Sequence, residues 1–283
     1  MKTAPNRWSV YGARLVATTL RATRKHDCTD AAAAMAFDFV FAVFPALLIL
    51  SAFIGAFGIA PEDFSRLLDD LGIVLPMAFI EIVEENIEHL VDSSQSLLFA
   101  GVIGVIWSAS ASMSTTMTAL NRALGLRERR SFFQRRILSF VLVFLFGISL
   151  FGLSNLVIFS EYIDGLFREQ GEYSQEIPSV AMFLSKISGI LGTLMTAALI
   201  YRYVPAVKQD WRAVAPGSVL FFVLWTCVVA FFRYYVHSFS YYSLVSGALG
   251  VVIVILLSAY FVAFTLLLGG ELNAAILRLR SDK

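Results

Sequence analysis

The sequence predicts an all-α, polytopic membrane protein with six transmembrane helices, an N-terminal interfacial helix and a short acidic helical cap on the outer side. Composition is the first reason: 58% of the 283 residues are hydrophobic, only 15% are charged, and the mean hydropathy is +0.75. No water-soluble domain of this length is so apolar. The second is the set of apolar runs at about 31–59, 97–118, 137–159, 178–203, 214–236 and 245–276, each long enough for the ~20 residues that a spanning helix needs. The third is where the charges fall. Lys and Arg number six before the first run, six between Ala119 and Arg136, three between Arg202 and Arg212 and three after Glu271, so that 18 of 22 lie in alternate connections. The positive-inside rule places those connections and both termini in the cytoplasm, which requires an even number of spans.

Residues 1–29 form the first unit. Arg7, Arg14 and Arg21 recur every seven residues and share one helical face, while Trp8, Tyr11 and Leu15 share another. Basic plus aromatic is the pattern of a helix lying beside anionic headgroups, over about residues 5–26. It either anchors the chain or senses lipid. No apolar core of signal-peptide type precedes residue 31, so the N-terminus is expected to be retained. The two cysteines, Cys28 and Cys227, fall ahead of one span and inside another, and no disulfide is expected.

Residues 30–277 form the membrane unit. Its first span holds a carboxylate, Asp38, and a proline, Pro45. The proline leaves the Phe41 carbonyl without its usual donor and predicts a bend. An acid at mid-membrane costs at least ~2.5 kcal/mol, so Asp38 is expected to face a polar interior. Segment 60–96 then holds nine acids and a single base, Arg66. Two short helices fit it, the second with Glu81, Glu84, Glu85 and Glu88 on one face; that ridge is a solvated cap or a dock for cations or a basic partner.

In the second span Gly104, Ser108, Ser112 and Thr116 repeat every four residues, with Thr115 beside them. Such a stripe lets helices approach closely, or lines a hydrated path. The fourth span carries Lys186, which either pairs with Asp38 or snorkels to the headgroups. The candidate substrate or ion path is therefore Asp38, Pro45, Ser108, Ser112, Thr115 and Lys186. At the cytoplasmic side Asn121, Arg122, Arg202, Glu271 and Asn273 make a candidate structural clasp, in which Glu271 is expected to meet Arg122 or Arg202. Residues 278–283 make a basic tail.

The ordered segments AAAAMAFDFVFAVFP, GVIGVIWSASASMSTTMTALNRALG, YRYVPAVKQDWR with PGSVLFFVLW, and YYSLVSGALGVVIVILLSAYFVAFTLLLGGELNA resemble the bacterial YihY/BrkB inner-membrane family over most of residues 30–277. The resemblance implies six spans in the bacterial cytoplasmic membrane. Members of that family have carried the names ribonuclease BN, virulence factor linked to serum resistance, and lipid or solute transporter. Where the family pattern has an aromatic pair after the alanines, this chain has Phe37 and Asp38, so no role for Asp38 follows from the resemblance.

The ribonuclease label finds no support in the residues. His26, His89 and His237 are dispersed, without HxxxH or DxD spacing, whereas RNA hydrolysis needs a metal cluster or an acid and base pair. No enzyme activity, catalytic residue, metal, cofactor or nucleic-acid partner is expected. Nor does a GxxxxGK[ST] loop occur for direct ATP drive. The leading expectation is a transporter or flippase-like protein for an amphipathic or lipid-related envelope substrate, with a cavity among spans one, two, four and six. The alternatives are a proton-coupled ion exporter using Asp38, and a non-transporting scaffold for envelope assembly. Expected partners are membrane lipids, envelope-assembly proteins and further copies of the chain.

Overall fold

A computed structural model describes residues 7–57, 95–128, 130–142, 177–238 and 240–281. Seven helices make up these residues: α1 (Arg7–Lys25), α2 (Cys28–Phe57), α3 (Gln95–Ala123), α4 (132–142), α5 (Ile177–Tyr203), α6 (Trp211–Ser238) and α7 (Ser240–Ser281). No strand occurs among the described residues. The acidic segment 60–96 falls, but for its last two residues, outside them, as does most of the expected third span.

The helices overrun the apolar runs at their polar ends. Hydropathy marks only the stretch that suits hydrocarbon, while backbone hydrogen bonding continues until a capping residue stops it. Helix α1 stops at Asp27, in left-handed geometry with φ 51°. Asp is among the few non-glycine residues that tolerate that conformation. Helix α3 stops at Gly125, φ 70°, where Leu126 N–H donates to the Asn121 carbonyl and Gly125 N–H to that of Arg122. Those two bonds satisfy carbonyls that the helix end leaves open. Helix α2 continues through Pro45. A helix tolerates one missing donor where neighbouring elements support it, so the proline does not interrupt it.

Helix α2 packs along α3 and α7, α6 packs along α7 and α5, and α1 lies against α7. The buried residues between these helices mix small and polar side chains, such as Ala32, Ala36, Ser108, Thr116 and Ser258, with larger ones such as Met117, Leu120, Tyr201 and Leu267. Many large apolar side chains are exposed, among them Phe37, Phe39, Phe41, Phe99, Ile103, Trp107, Ile253 and Leu257. On a water-soluble bundle such a surface would be a large aggregation-prone patch. Small residues set the approach of α6 to α7. A Cβ at Gly217 would strike the Gly269 carbonyl and the Asn273 amide, and one at Gly270 would strike Leu120. Two described stretches are by themselves long and apolar enough to cross a membrane: Trp211–Phe232, mean hydropathy 2.2, and Val252–Arg280, mean hydropathy 2.6.

Candidate functional site

Two polar regions stand out. The first closes the basic end of the bundle, where α1, α2, α3, α5, α6 and α7 begin or end. Glu271 is completely buried there, and its Oε1 lies 2.6 Å from His26 Nδ1. The Cys28 thiol approaches the same oxygen at 3.6 Å. Burial, followed by the charge of Glu271, pushes that thiol up to about 12, because a thiolate would be both desolvated and repelled. Arg122 donates to the His26 carbonyl at 3.0 Å and lies 3.6 Å from Asp27.

Beside this cluster Asn273 accepts from Gly217 N–H at 2.7 Å and donates to the Val214 carbonyl at 3.2 Å. Asn121 accepts from Ala206 N–H at 2.7 Å and donates to Glu128 at 2.6 Å. Arg130 reaches the Val204 and Pro205 carbonyls, and Tyr201 donates to the Leu266 carbonyl at 2.6 Å. The α3–α4 and α5–α6 connections are thus bolted to the helix ends. The cavity left between Leu120, Tyr201, Gly270 and Asn273 is only ≈ 10 Å³, about the room of one water.

The second region lies on the outer flank of α2, α3 and α4. Asp38, half-buried, stands about 15 Å along α2 from Cys28 at 1.5 Å rise per residue. Arg136 reaches up from α4 to the Trp107 carbonyl at 2.6 Å, with its guanidinium 4.2 Å from the centre of the Trp107 ring. Trp107 sits about 24 Å along α3 from Ala123. Among the described residues no ion pair within 4.0 Å joins Asp38 and Arg136. Asp38 has no hydrogen-bond partner there, and only one of the five guanidinium N–H groups of Arg136 is engaged. Around them are exposed Phe37, Phe41, Trp107 and Ile137.

The residues singled out in the sequence separate accordingly. Glu271 meets His26 and Cys28, and neither Arg122 nor Arg202, which corrects the expected pairing. Arg122 is drawn off by the α1–α2 connection, and Arg202 by the Gln209 carbonyl at 2.6 Å and the Trp211 ring at 4.6 Å. Ser108 and Thr116 are buried, and Thr116 donates to the Met35 sulfur at 3.5 Å, so this stripe packs on α2. Thr115 bonds back to the Ala111 carbonyl and Ser112 is half-buried. The Ser108 hydroxyl is buried without a partner among the described residues. Pro45 and Lys186 lie in α2 and α5, with side chains outside the described set, so the pairing of Lys186 with Asp38 lies outside it as well. The cavity expected among spans one, two, four and six would be lined in part by side chains of 43–57 and 177–186, which lie outside the described residues. Sequence reasoning missed His26, Cys28 and Arg136, the last because it sits in a basic connection and only its side chain enters the apolar zone.

Many exposed large apolar side chains and two helical stretches of spanning length point to a helical membrane protein. The chain belongs to the family described as Virulence factor BrkB, whose model matches residues 19–283. It is 26% identical over 258 residues to a Bacillus subtilis protein described as ribonuclease-like protein YfkH, covering 89% of this chain and 90% of that one. It is 24% identical to a UPF0761 membrane protein of Psychromonas ingrahamii, covering 86% and 80%, and 24% identical to UPF0761 membrane protein MS0032 of Mannheimia succiniciproducens, covering 89% and 86%. No solved structure matches the chain.

Proposed function

We propose that the chain is a six-span protein of the bacterial inner membrane, both termini cytoplasmic, that moves an amphipathic, lipid-related envelope substrate without enzymatic chemistry. One observation supports this reading: Asp38, half-buried within one apolar run, and Arg136, whose guanidinium stacks on Trp107 of another, would sit at hydrocarbon depth among exposed aromatic and aliphatic side chains. A charge at that depth disfavours insertion by about 2.5–3.5 kcal/mol, and such residues mark substrate or ion pathways by default. That flank is exposed, and between Leu120, Tyr201, Gly270 and Asn273 at the basic end only ≈ 10 Å³ is left. A molecule with a polar head and apolar tails suits that geometry better than a soluble ion, which would need a water-filled approach. The test is reconstitution in vesicles with fluorescent phospholipid. Transfer between leaflets that depends on the protein supports the reading, and transfer at the rate of empty vesicles refutes it.

A second reading, the non-transporting scaffold, is favoured by the close packing around Glu271 and Asn273, which leaves only ≈ 10 Å³ between Leu120, Tyr201, Gly270 and Asn273. Under it, Asp38→Asn leaves envelope phenotypes unchanged, whereas disruption of the basic end abolishes them.

A further inference from the structure

We infer that the groove between the start of α6 and the end of α7 holds the headgroup phosphate of an anionic phospholipid, with Arg212 and Arg280 as its two bases. Asp210, Trp211, Arg212, Ala213, Leu277 and Arg280 line a cavity of ≈ 420 Å³ there. That is room for a headgroup, where the void beside Tyr201 has room for one water. Both arginines are exposed, and neither has a hydrogen bond or an ion pair among the described residues. Arg202 differs, being engaged by the Gln209 carbonyl at 2.6 Å and the Trp211 ring at 4.6 Å. It therefore fixes the Trp211 wall of the groove and leaves the other two bases available. Two bases against one acid, Asp210, give the groove an excess of positive charge, and guanidinium donors suit phosphate oxygens.

Position selects a lipid over a soluble phosphate. Trp211 opens one stretch of spanning length, Trp211–Phe232, and Arg280 closes the other, Val252–Arg280. The groove thus lies where both spans meet the headgroups, the level at which tryptophan and bases are enriched. Along α6 from Arg212, Ala215, Val219 and Val223 follow at steps of three and four residues and share its face. All three are exposed, Val219 by 54% and Val223 by 50%. They make a lane of small apolar side chains about 16 Å long at 1.5 Å rise per residue, in line with the bases and suited to an acyl chain. A zwitterionic headgroup brings its own ammonium toward Arg212 and Arg280, whereas phosphatidylglycerol does not, and like charge opposes the wrong ligand. The inference goes beyond the transport reading, because it needs only that the chain sits in a bilayer.

The experiment is native mass spectrometry of the full chain released from vesicles of equal phosphatidylglycerol and phosphatidylethanolamine. Wild type is expected to retain the glycerol lipid roughly fivefold over the ethanolamine lipid, equivalent to ~1 kcal/mol. Arg212→Gln combined with Arg280→Gln should bring that ratio to about one. Arg14→Gln combined with Arg21→Gln removes two exposed bases of α1 instead and should leave it unchanged. An equal fall in both pairs assigns the preference to the overall charge of the basic end and overturns the site. Equal retention by wild type, or a ratio that survives loss of Arg212 and Arg280, overturns it as well. sn-Glycerol 3-phosphate at millimolar concentration has the phosphate without the acyl chains and should displace nothing; displacement makes the groove a soluble-phosphate site and refutes the lipid assignment. If the double variant does not fold, Arg280→Gln alone, in the last turn of α7, decides. Leaflet transfer in the same vesicles is read separately. A lost preference with transfer intact sinks the site alone, and absent transfer with the preference intact sinks the transport reading alone.

Discussion

Each of the two polar regions of this bundle holds an acid and a base from distant segments, and they differ in whether the two meet. At the basic end Glu271 is wholly buried and 2.6 Å from His26. On the flank Asp38 is half-buried, and among the described residues no ion pair within 4.0 Å joins it to Arg136. A closed, buried pair fixes helices relative to one another and has nothing left to offer a ligand beyond the second oxygen of Glu271, which is buried and unpartnered among the described residues. An acid and a base without such a contact keep their hydrogen-bonding capacity at a cost in insertion energy. The contrast separates residues that hold the bundle together from residues available to a substrate.

The hardest blow to this distinction would be a dispensable His26. His26→Ala leaves the Glu271 carboxylate buried with only the Cys28 thiol as donor, and removal of one partner of a buried pair costs about 3–5 kcal/mol. Thermal unfolding in detergent should show the largest drop of any substitution discussed here. The double change His26→Leu with Glu271→Met should recover most of it, since no charge is then stranded. The next effect is steric. Gly217→Ala drives a methyl onto the Gly269 carbonyl and is expected to cost about 1–3 kcal/mol. Gly12→Ala in α1 meets nothing within 4 Å and should stabilise by about 0.5–1 kcal/mol through helix propensity.

A smaller effect concerns pH. With its thiol pushed up to about 12 from an ordinary 9, Cys28 stays protonated in the folded chain where the unfolded chain ionises. Its contribution is intact below pH 9 and falls away as pH rises from 9 toward 12, because only the unfolded state releases the proton in that window. Unfolding temperatures measured from pH 8 to 10.5 should fall more steeply for wild type than for Cys28→Ala. Parallel slopes would mean that Cys28 is not enclosed with Glu271.

Helix positions were legible because apolar runs of spanning length have few other uses. The expected helix over 5–26 is Arg7–Lys25, and the run 178–203 is Ile177–Tyr203. Glu271 and Asn273 were legible as polar residues in an apolar helix, but the partner of Glu271 was not. His26 lies 245 positions away, and no spacing rule connects residues whose contact depends on α1 folding back onto α7. Arg136 was hidden for a different reason. Counting bases by their place in the sequence assigns it to a connection, whereas its long stem takes the guanidinium to Trp107. The serine and threonine stripe admitted two readings, and the burial of Ser108 and Thr116 favours packing over a lining.

The smallest expected effect on stability is also the most discriminating. If Asp38 were structural in the manner of Glu271, replacing it with Asn would leave a base without its counter-charge and lower the unfolding temperature. Asp38 has no hydrogen bond to lose among the described residues, and Arg136 is held by Trp107 whether or not Asp38 is charged. Asn also removes a carboxylate from hydrocarbon depth, where the charged form disfavours insertion by about 2.5 kcal/mol or more. Asp38→Asn should therefore leave thermal stability unchanged or slightly raised while slowing the transfer of phospholipid between leaflets. A fall in unfolding temperature comparable to that of His26→Ala would place both acids in one structural class, and the flank would lose its claim to a ligand.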